Sequence, residues 1–408
     1  MTLRDDALKL HLENHGKLAV VSKVPIKTRE DLALAYTPGV AEPCKEIKEN
    51  KDLSLEYTCR GNMVAIVSDG TRVLGLGDIG PEAAMPVMEG KAALFKTFGD
   101  VDAVPICIDT KDPAKIIETV RFLQPSFAGI NLEDISSPKC YDIECELKKI
   151  CDIPVFHDDQ HGTAIACLAA VIGALRFVKK DMKTAKFVVN GCGAAGSAIG
   201  RLLISMGAEN VTMVDRFGAL YEGIDANLDR IQSYLATVTN KEHKKGTLAD
   251  IAKGVDVLIG VSAPNVFTKE IIASMADKAI VFALANPVPE TSYADAIEAG
   301  AAVAGTGRSD SPNQVNNVTV FPGVFRGAID VRAKAITEEM KVAAVYAISE
   351  LIDEKDLRAD YVVPDAFDPR VAPAVAAAVA RVAMETGIAR IKVDPEEVRA
   401  NTMKRVGR

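Results

Sequence analysis

Between about residues 60 and 160 the chain alternates short apolar, β-branched segments with segments of helical pattern. The apolar segments are VAIVSDG, AVPICIDT, AGINLED and IPVFHDD, and helix formers such as PEAAMPVMEGKAALFKTFG lie between them. This alternation predicts a largely parallel α/β sheet, because parallel strands are joined by crossover helices. Ligands of such sheets bind beyond the carboxyl ends of the strands, where the four segments carry acidic residues: Asp69, Asp109, Glu133, Asp134, Asp158 and Asp159.

A second unit of the same kind starts near residue 160. A helix is expected from Thr163 to about Val178, followed by the strand candidates KFVVN, NVTMVD, DVLIGVS, KAIVFALANP and AAVAGTG. Helices are then expected from Arg326 to about Ile352 and from Ala372 to about Thr386. With 408 residues, the chain is long enough for two or three domains.

The segment KFVVNGCGAAGSAIGRLL predicts a dinucleotide site. It carries G-x-G-x-x-G as Gly191, Gly193 and Gly196 where a predicted strand turns into a predicted helix. The three glycines allow a tight turn, close approach of a pyrophosphate and close helix packing. Asp215 ends the next strand, where a carboxylate would bind the adenosine ribose and favour NAD over NADP, although the adjacent Arg216 could offset that preference. The fold class is therefore α/β with a Rossmann-type, doubly wound domain.

Composition excludes several classes of protein. Hydrophobic residues make up 48% and charged residues 25% of the chain, which is ordinary for a folded globular protein. The net charge of −8 argues against nucleic acid or an anionic membrane as a partner. The N-terminus lacks an apolar signal segment, and we find no run of the roughly 18 apolar residues that a membrane span needs. A cytoplasmic location is expected, with the eight cysteines reduced, because no CxxC pair occurs.

The stretch FHDDQHGTA, residues 156–164, raises the question of a metal site. His157, Asp158, Asp159 and His161 could be taken as one ligand set. If Glu133, Asp134 and Asp159 converge instead, the site is all oxygen, which suits Mg²⁺ or Mn²⁺ rather than zinc. On residue types alone, solvated strand ends or helix caps remain the alternative.

Seven blocks give the chain a resemblance to malic enzymes in their short bacterial and archaeal form. They run in order from the N-terminal part to the C-terminal part: AYTPGVA, SDGTRVLGLGDIG, EGKAALFK, NLED, FHDDQHGTA, ANPVPE and QVNNVTVFPG. The resemblance implies oxidation of L-malate by NAD, or NADP, then loss of CO₂ from bound oxaloacetate and protonation of enolpyruvate to pyruvate. It also implies a substrate and metal domain at 1–158, a dinucleotide domain at 159–388 that ends in helices, and a C-terminal tail at 389–408.

The resemblance also implies roles for single residues. Lys91 matches the base that takes the proton of the C2 hydroxyl, and a nearby divalent cation would lower its pKa. Asp158 would orient Lys91, and Tyr36, expected close to Lys91, would protonate C3. The implied Mn²⁺ or Mg²⁺ ligands are Glu133, Asp134 and Asp159. The implied substrate contacts are Arg72, Asn286 and Asn317, with Asn316 as the alternative to Asn317. The implied cofactor contacts are Gly191, Cys192, Gly193, Ala194, Ala195, Gly196, Asp215, Arg216 and Asn286.

Two other functions stay open at this point. Malolactic chemistry uses the same groups and releases lactate, but enzymes of that type are typically longer chains. A catalytically silent dinucleotide-binding subunit is disfavoured because every matched position holds a competent residue. A homodimer or higher oligomer is expected, and short forms can share site residues across a subunit interface. His157 and His161 receive no role from the resemblance; His157 should face the same side as Asp159 along a strand.

Overall fold

The computed structural model of the chain describes residues 2–406, which contain seventeen α-helices and ten β-strands. The helices are α1 Leu3–Asn14, α2 Arg29–Ala35, α3 Ala41–Glu49, α4 Ser54–Tyr57, α5 Pro81–Gly99, α6 Pro113–Leu123, α7 Lys139–Ile150, α8 Asp158–Val178, α9 Ala194–Ser205, α10 Arg230–Val238, α11 Leu248–Ile251, α12 Lys269–Ala273, α13 Tyr293–Glu298, α14 Phe321–Asp330, α15 Glu338–Ser349, α16 Val371–Glu385 and α17 Pro395–Val406. The strands are β1 Met63–Ser68, β2 Asp102–Cys107, β3 Gly129–Leu132, β4 Val155–His157, β5 Lys186–Asn190, β6 Asn210–Asp215, β7 Gly218–Ala219, β8 Val257–Gly260, β9 Ile280–Ala283 and β10 Val303–Thr306.

The four strands predicted between residues 60 and 160 form one sheet in the order β2-β1-β3-β4. All three pairings are parallel, and the register sets Val67 beside Leu132 and Leu132 beside His157. Strands buried on both faces are expected to be continuously apolar, and five of the six β1 residues are buried. The carboxyl ends of β1, β3 and β4 therefore lie next to one another.

The second sheet has the order β10-β9-β8-β5-β6-β7. Its pairings are parallel except for the short antiparallel pair of β6 and β7. The strand order reverses direction at β5, and the following helix α9 starts there. In open α/β sheets such a switch point is where ligands bind, so the prediction of a Rossmann-type unit holds.

Helix α8 connects the two sheets and differs from the sequence prediction at its start. It begins at Asp158 rather than at Thr163, because the two aspartates occupy the first turn, where carboxylates interact favourably with the positive end of the helix dipole. Its length and apolar composition alone would allow it to cross a membrane, so the sequence-based expectation that no run is apolar enough is wrong. Most of it is buried inside the fold, as expected for a core helix of this kind.

The C-terminal helices also differ from prediction. The helix expected from Arg326 to Ile352 is two helices, α14 and α15, with a break at 331–337. Within that break Val331, Ala333 and Ile336 are buried, so the irregular backbone packs into the core. The expected tail contains α17, whose Val398 and Thr402 are buried; Gly407 and Arg408 lie outside the described residues.

Aromatic contacts join α14 to the first sheet. The ring of Phe95 on α5 lies 4.6 Å from that of Phe321 and 5.3 Å from that of Phe325. Phe156 on β4 also contacts Phe325, at 5.9 Å between ring centroids. The C-terminal helices are thereby fixed against the helix that carries Lys91.

Helices α1 to α4, unlike the C-terminal helices, do not pack into the core. Capping boxes at Thr2 and Thr28 define the starts of α1 and α2, but α1 to α4 have no buried residue. Large apolar side chains of this N-terminal segment are exposed: Leu3, Leu8, Leu10, Leu12, Leu18, Val20, Val21, Val24, Ile26, Leu32 and Leu34. So many exposed large apolar side chains within one short segment are unusual for the surface of a monomer.

Candidate active site

Lys91 lies in the middle of α5 and is buried against acidic groups. Its Nζ is 3.0 Å from a carboxylate oxygen of Glu133 and also donates to Asp158. The ammonium lies 4.0 Å from the ring centroid of Phe321. Burial opposes the charged form, but the carboxylates of Asp158 and Glu133 prevail and hold the pKa of Lys91 above its usual range. A neutral lysine therefore requires that these negative charges be compensated.

Glu133, Asp134 and Asp159 converge at the ends of β3 and β4. Each offers a carboxylate oxygen, and the three oxygens lie within 4.8 Å of one another. Asp134 has a left-handed φ of 54°, which turns the chain at this point. Its backbone N–H donates to Asp159 at 2.8 Å, so the two segments are joined directly.

The electrostatics of this acidic cluster test whether a divalent cation fits. Burial, Asp159 and Glu133 together raise the pKa of Asp134 to about 9, and Asp134 Oδ2 is buried without a partner among the described residues. Three carboxylates this close can all be ionised only if positive charge lies between them. An all-oxygen donor set suits Mg²⁺ or Mn²⁺, so the residues present fit such an ion.

Asp158 is not one of the three converging carboxylates and instead contacts Lys91. Burial raises the pKa of Asp158 to about 8, with Glu133 adding to the effect. Its carboxylate accepts hydrogen bonds from Lys91 and from Asn317 Nδ2. Asn317, expected at the substrate, thus contacts the partner of Lys91 as well as lining the cleft. Asn316 lines the cleft too, and its side chain accepts from Val318 N at 3.0 Å.

A cleft of about 790 Å³ brings most of the expected residues together. Its lining includes Arg72, Lys91, Glu133, Asp134, Asp159, Gly193, Ala194, Ala195, Asn286 and Asn317. The side chain of Arg72 is exposed at the mouth of this cleft, and its backbone N–H donates to Asp134 O at 3.0 Å. The cleft thus spans the acidic cluster and the glycine-rich turn.

The glycine-rich turn has the geometry that its sequence predicts. Gly191 has a φ of 108°, which L side chains rarely adopt, and a Cβ on Gly196 would lie 1.8 Å from Gly191 O. A Cβ on Gly193 would meet nothing within 4 Å, which leaves open space at the start of α9. Free N–H groups at a helix start attract phosphate. Cys192 is buried behind the turn and contacts Val214 O.

Asp215 ends β6, where it was expected at the adenosine ribose. One carboxylate oxygen accepts from Arg216 N at 2.8 Å and the other from Gln232 Nε2 at 2.8 Å. The guanidinium of Arg216 stacks on the ring of Phe217 at 4.8 Å. Asp215 is therefore held in place at the strand end.

Tyr36, expected close to Lys91, does not line the cleft that holds Lys91. It follows α2 and is 67% exposed.

Not every acidic residue at a strand end joins the acidic cluster. Asp69, after β1, is paired with Lys139 and Thr71 instead. His157 and His161 are not part of that cluster either; His157 Nδ1 lies 3.9 Å from Asp159 Oδ2 on the side that was expected.

Three supporting residues were missed by sequence reasoning. Asn131 Nδ2 donates to Glu133 at 2.9 Å, and Phe321 covers Lys91. Glu290 is fully buried and accepts from Ser262 N at 2.7 Å and from Ala285 N at 3.0 Å, joining two loops that line the cleft. Only an asparagine within an apolar strand gave any local signal of such a role.

Comparisons with known proteins identify relatives over the whole length. The family model for the malic enzyme N-terminal domain matches residues 15–114, and that for the malic enzyme NAD-binding domain matches residues 160–384. A bifunctional malic/malolactic enzyme of Bacillus subtilis is 57% identical over 404 residues, which cover 99% of this chain and 98% of the relative. An NAD-dependent malic enzyme of Geobacillus stearothermophilus is 51% identical, with 92% of this chain and 78% of the relative covered.

Some relatives of lower identity are longer, and others have nearly the same length. The chain is 46% identical to an NADP-dependent malic enzyme of Escherichia coli, with 95% of this chain covered but only 53% of that relative. Among solved structures, a malic enzyme from Pyrococcus horikoshii matches with a TM-score of 0.96 and 46% identity, over 100% of this chain and 96% of the other.

Proposed function

The chain belongs to the malic enzyme family, and from this we propose that it converts L-malate to pyruvate and CO₂ with reduction of NAD⁺. The observation that carries the proposal is one cleft that holds a buried lysine, three converging carboxylates and a glycine-rich turn at a helix start. Each of these serves a different need of the reaction: proton removal, charge stabilisation and cofactor binding.

Lys91 takes the proton of the C2 hydroxyl in this proposal. A base must be within hydrogen-bond reach of that proton, and Lys91 is buried but lines the cleft. Asp158 and Asn317 fix the direction of the ammonium through the bonds described above. Phe321 excludes water from the other side of the group.

Substrate carboxylates meet Arg72 and Asn286 at the mouth of the cleft. A planar guanidinium binds a carboxylate through two parallel hydrogen bonds, and Arg72 is free to do so because it lies exposed beside Asp134. Asn286 lies in the loop that Glu290 holds through Ala285.

Glu133, Asp134 and Asp159 would hold Mn²⁺ or Mg²⁺. When bound, the ion supplies Lewis-acid stabilisation of negative charge on the substrate oxygen. Asn131 and the N–H of Asp134 orient the carboxylates for this purpose. The turn at 191–196 would bind the dinucleotide, and Asp215 supports NAD over NADP, because a carboxylate repels a 2′-phosphate.

Malolactic conversion of malate to lactate is the second candidate. The observation in its favour is the Bacillus subtilis relative of nearly equal length, which is named a bifunctional malic/malolactic enzyme. The expectation that malolactic chains are longer is therefore wrong as an argument against this activity.

We propose that the working form is a homodimer or a higher homo-oligomer in the cytoplasm. The exposed apolar side chains of the N-terminal segment favour burial in a protein interface. Tyr36 follows α2 in the same segment. A second copy packed there would bring Tyr36 to the cleft of its partner, where the tyrosine would protonate C3. Each of the eight cysteines is a free thiol, as is usual for cytoplasmic proteins.

An absorbance assay tests the function. Purified protein with L-malate, NAD⁺ and Mn²⁺ should produce NADH at the same rate as pyruvate. Lactate without net NADH would instead support the malolactic candidate. No turnover with NAD⁺ or NADP⁺ would refute both and support a silent dinucleotide-binding subunit.

A further inference from the structure

Glu144, on α7, lies behind the acidic cluster and outside the cleft. It is 5% exposed, yet burial does not make it neutral: His161 and Lys148 outweigh the effect of burial and keep the pKa of Glu144 well below its usual range. A buried carboxylate needs several hydrogen bonds to be tolerated. The hydrogen-bond partners of Glu144 show which segment of the chain this carboxylate holds in place.

Three of those partners come from one short stretch of chain, residues 157–161. The carboxylate of Glu144 accepts from His157 N at 3.2 Å, from Gln160 Nε2 at 3.4 Å and from His161 Nε2 at 2.9 Å. Between them lie Asp158 and Asp159, whose side chains point to the opposite side, toward Lys91 and the acidic cluster. The five consecutive residues therefore have two faces, one bound to Glu144 and one that forms the site.

The bond between His161 and Glu144 has a defined direction. Lys341 Nζ lies 3.0 Å from His161 Nδ1, and an ammonium can only donate, so Nδ1 is the acceptor. The proton of the neutral imidazole is then on Nε2, which donates to Glu144. Lys341 in turn is held by Glu338 at 2.6 Å. Glu144 of α7 and Lys341 of α15 thus both bind His161 in the first turn of α8.

We propose that Glu144 is a positioning residue that sets the first turn of α8 so that Asp159 can bind the metal ion and Asp158 can hold Lys91. This inference rests on the proposed function for the identity of the site. Glu144 need not touch the substrate, the cofactor or the ion for this role. It acts through the backbone of His157 and the side chains of Gln160 and His161.

The proposal predicts a specific loss of metal affinity. In Glu144→Gln the Kd for Mn²⁺ should rise by roughly 10- to 100-fold, the usual effect of removing a group that orients metal ligands. The matched control is Glu146→Gln, two residues along α7, because Glu146 is exposed and pairs with Lys149. Free Mn²⁺ is measured by electron paramagnetic resonance with metal-stripped protein and no substrate.

Binding of NAD⁺ separates positioning from a general structural role. The glycine-rich turn lies on another loop, so NAD⁺ affinity by calorimetry should stay within about twofold of the parent, as for independent sites. An unchanged Mn²⁺ affinity in folded Glu144→Gln would overturn the proposal. A parallel fall in Mn²⁺ affinity, NAD⁺ affinity and unfolding temperature would also overturn it in favour of a merely structural role.

Two variants of His161 test the positioning role of Glu144 if Glu144→Gln does not fold. His161→Leu removes the donor to Glu144, whereas His161→Gln keeps an amide donor at that place. Mn²⁺ affinity should fall in the first and be at least partly restored in the second; equal affinities would contradict the proposal. Because Mn²⁺ binding needs no turnover, the Mn²⁺ titrations decide the role of Glu144 even if the parent protein does not oxidise malate. That lack of oxidation would refute the proposed function alone.

Discussion

The ammonium of Lys91 lies 3.0 Å from a carboxylate oxygen of Glu133, so the proposed base and a proposed metal ligand are direct ion partners. A cation that binds Glu133 would take up the negative charge that now stabilises protonated Lys91. Metal binding and the basicity of Lys91 are therefore coupled through one carboxylate. The same coupling makes the metal-free site sensitive to pH.

Metal-free protein should lose stability as the pH rises from about 4 to about 9. The pKa of Asp134 is raised to about 9 and that of Asp158 to about 8, so in this range the folded state binds more protons than the unfolded state. The free energy of unfolding then falls as the pH rises. Unfolding temperatures in a chelator should decrease across this range, and Mn²⁺ should restore more stability at high pH than at low pH. The decrease should be smaller in Asp134→Asn; a rise with pH in the parent would contradict this prediction.

Lys91→Ala should abolish malate oxidation and preserve NAD⁺ binding. Loss of a general base typically costs about 10²- to 10⁴-fold in rate, while the glycine-rich turn is unaffected. Initial rates and calorimetric NAD⁺ titrations test both parts. Lys96→Ala is the control, since Lys96 is exposed on the same helix and pairs with Asp100 and Asp102. Oxidation by Lys91→Ala at near the parent rate would show that another group is the base.

Arg72→Gln should raise the KM for malate by roughly 10- to 100-fold, because hydrogen bonds between charged groups contribute about 1.5–3 kcal/mol. Arg72→Lys keeps the charge but not the paired geometry, so it should recover only part of the loss. The KM for NAD⁺ should change little. Arg121→Gln, at an exposed position on α6, serves as the control. A KM for malate that does not respond to Arg72→Gln would exclude this arginine from substrate binding.

Asp215→Ser should shift the cofactor preference toward NADP⁺. The carboxylate lies at the end of β6 and is oriented by Gln232; removing its charge removes the repulsion of a 2′-phosphate and a bond to the ribose. The ratio of kcat/KM for NADP⁺ to that for NAD⁺ should increase by about tenfold or more, as expected for loss of about 1.4 kcal/mol of discrimination. Asp225→Asn, at an exposed loop position, should leave the ratio unchanged.

Mixing two inactive variants tests the shared site. If Tyr36 acts in the cleft of a partner, mixed dimers of Tyr36→Phe and Lys91→Ala contain one intact site. Random exchange of subunits in a symmetric dimer should then restore roughly a quarter of the parent activity. If Tyr36 served its own chain, no mixture would have an intact site and the activity would stay lost. As a control, parent protein is taken through the same subunit exchange to measure any activity that the procedure itself destroys.

The parts that the sequence predicted well depend on local rules. The turn at Gly191 and Gly196 could be placed because only glycine suits its φ and its close contact. The acidic cluster was assigned through the resemblance, since the spacing of Glu133 and Asp159 does not itself bring them together. Their meeting depends on β3 and β4 being neighbours in the sheet.

The parts that were missed depend on tertiary contacts. The break after Asp330 contains neither glycine nor proline, and it exists because Val331 and Ile336 pack into the core. Helix α8 starts early because Asp158 and Asp159 suit a first helical turn as well as they suit a strand end. Tyr36 was expected at Lys91 because its motif matched, but the motif does not determine where the N-terminal segment lies relative to the cleft.

The burial of helix α8 limits how far the site can change its shape. Its first turn carries Asp158 and Asp159, and Ile165, Leu168 and Val171 farther along are fully buried. Local unfolding that extends from that turn along α8 would expose these buried side chains, which costs free energy. Amide hydrogens at 162–172 should therefore exchange with solvent about as slowly as any in the molecule, and the site would keep its shape between one turnover and the next.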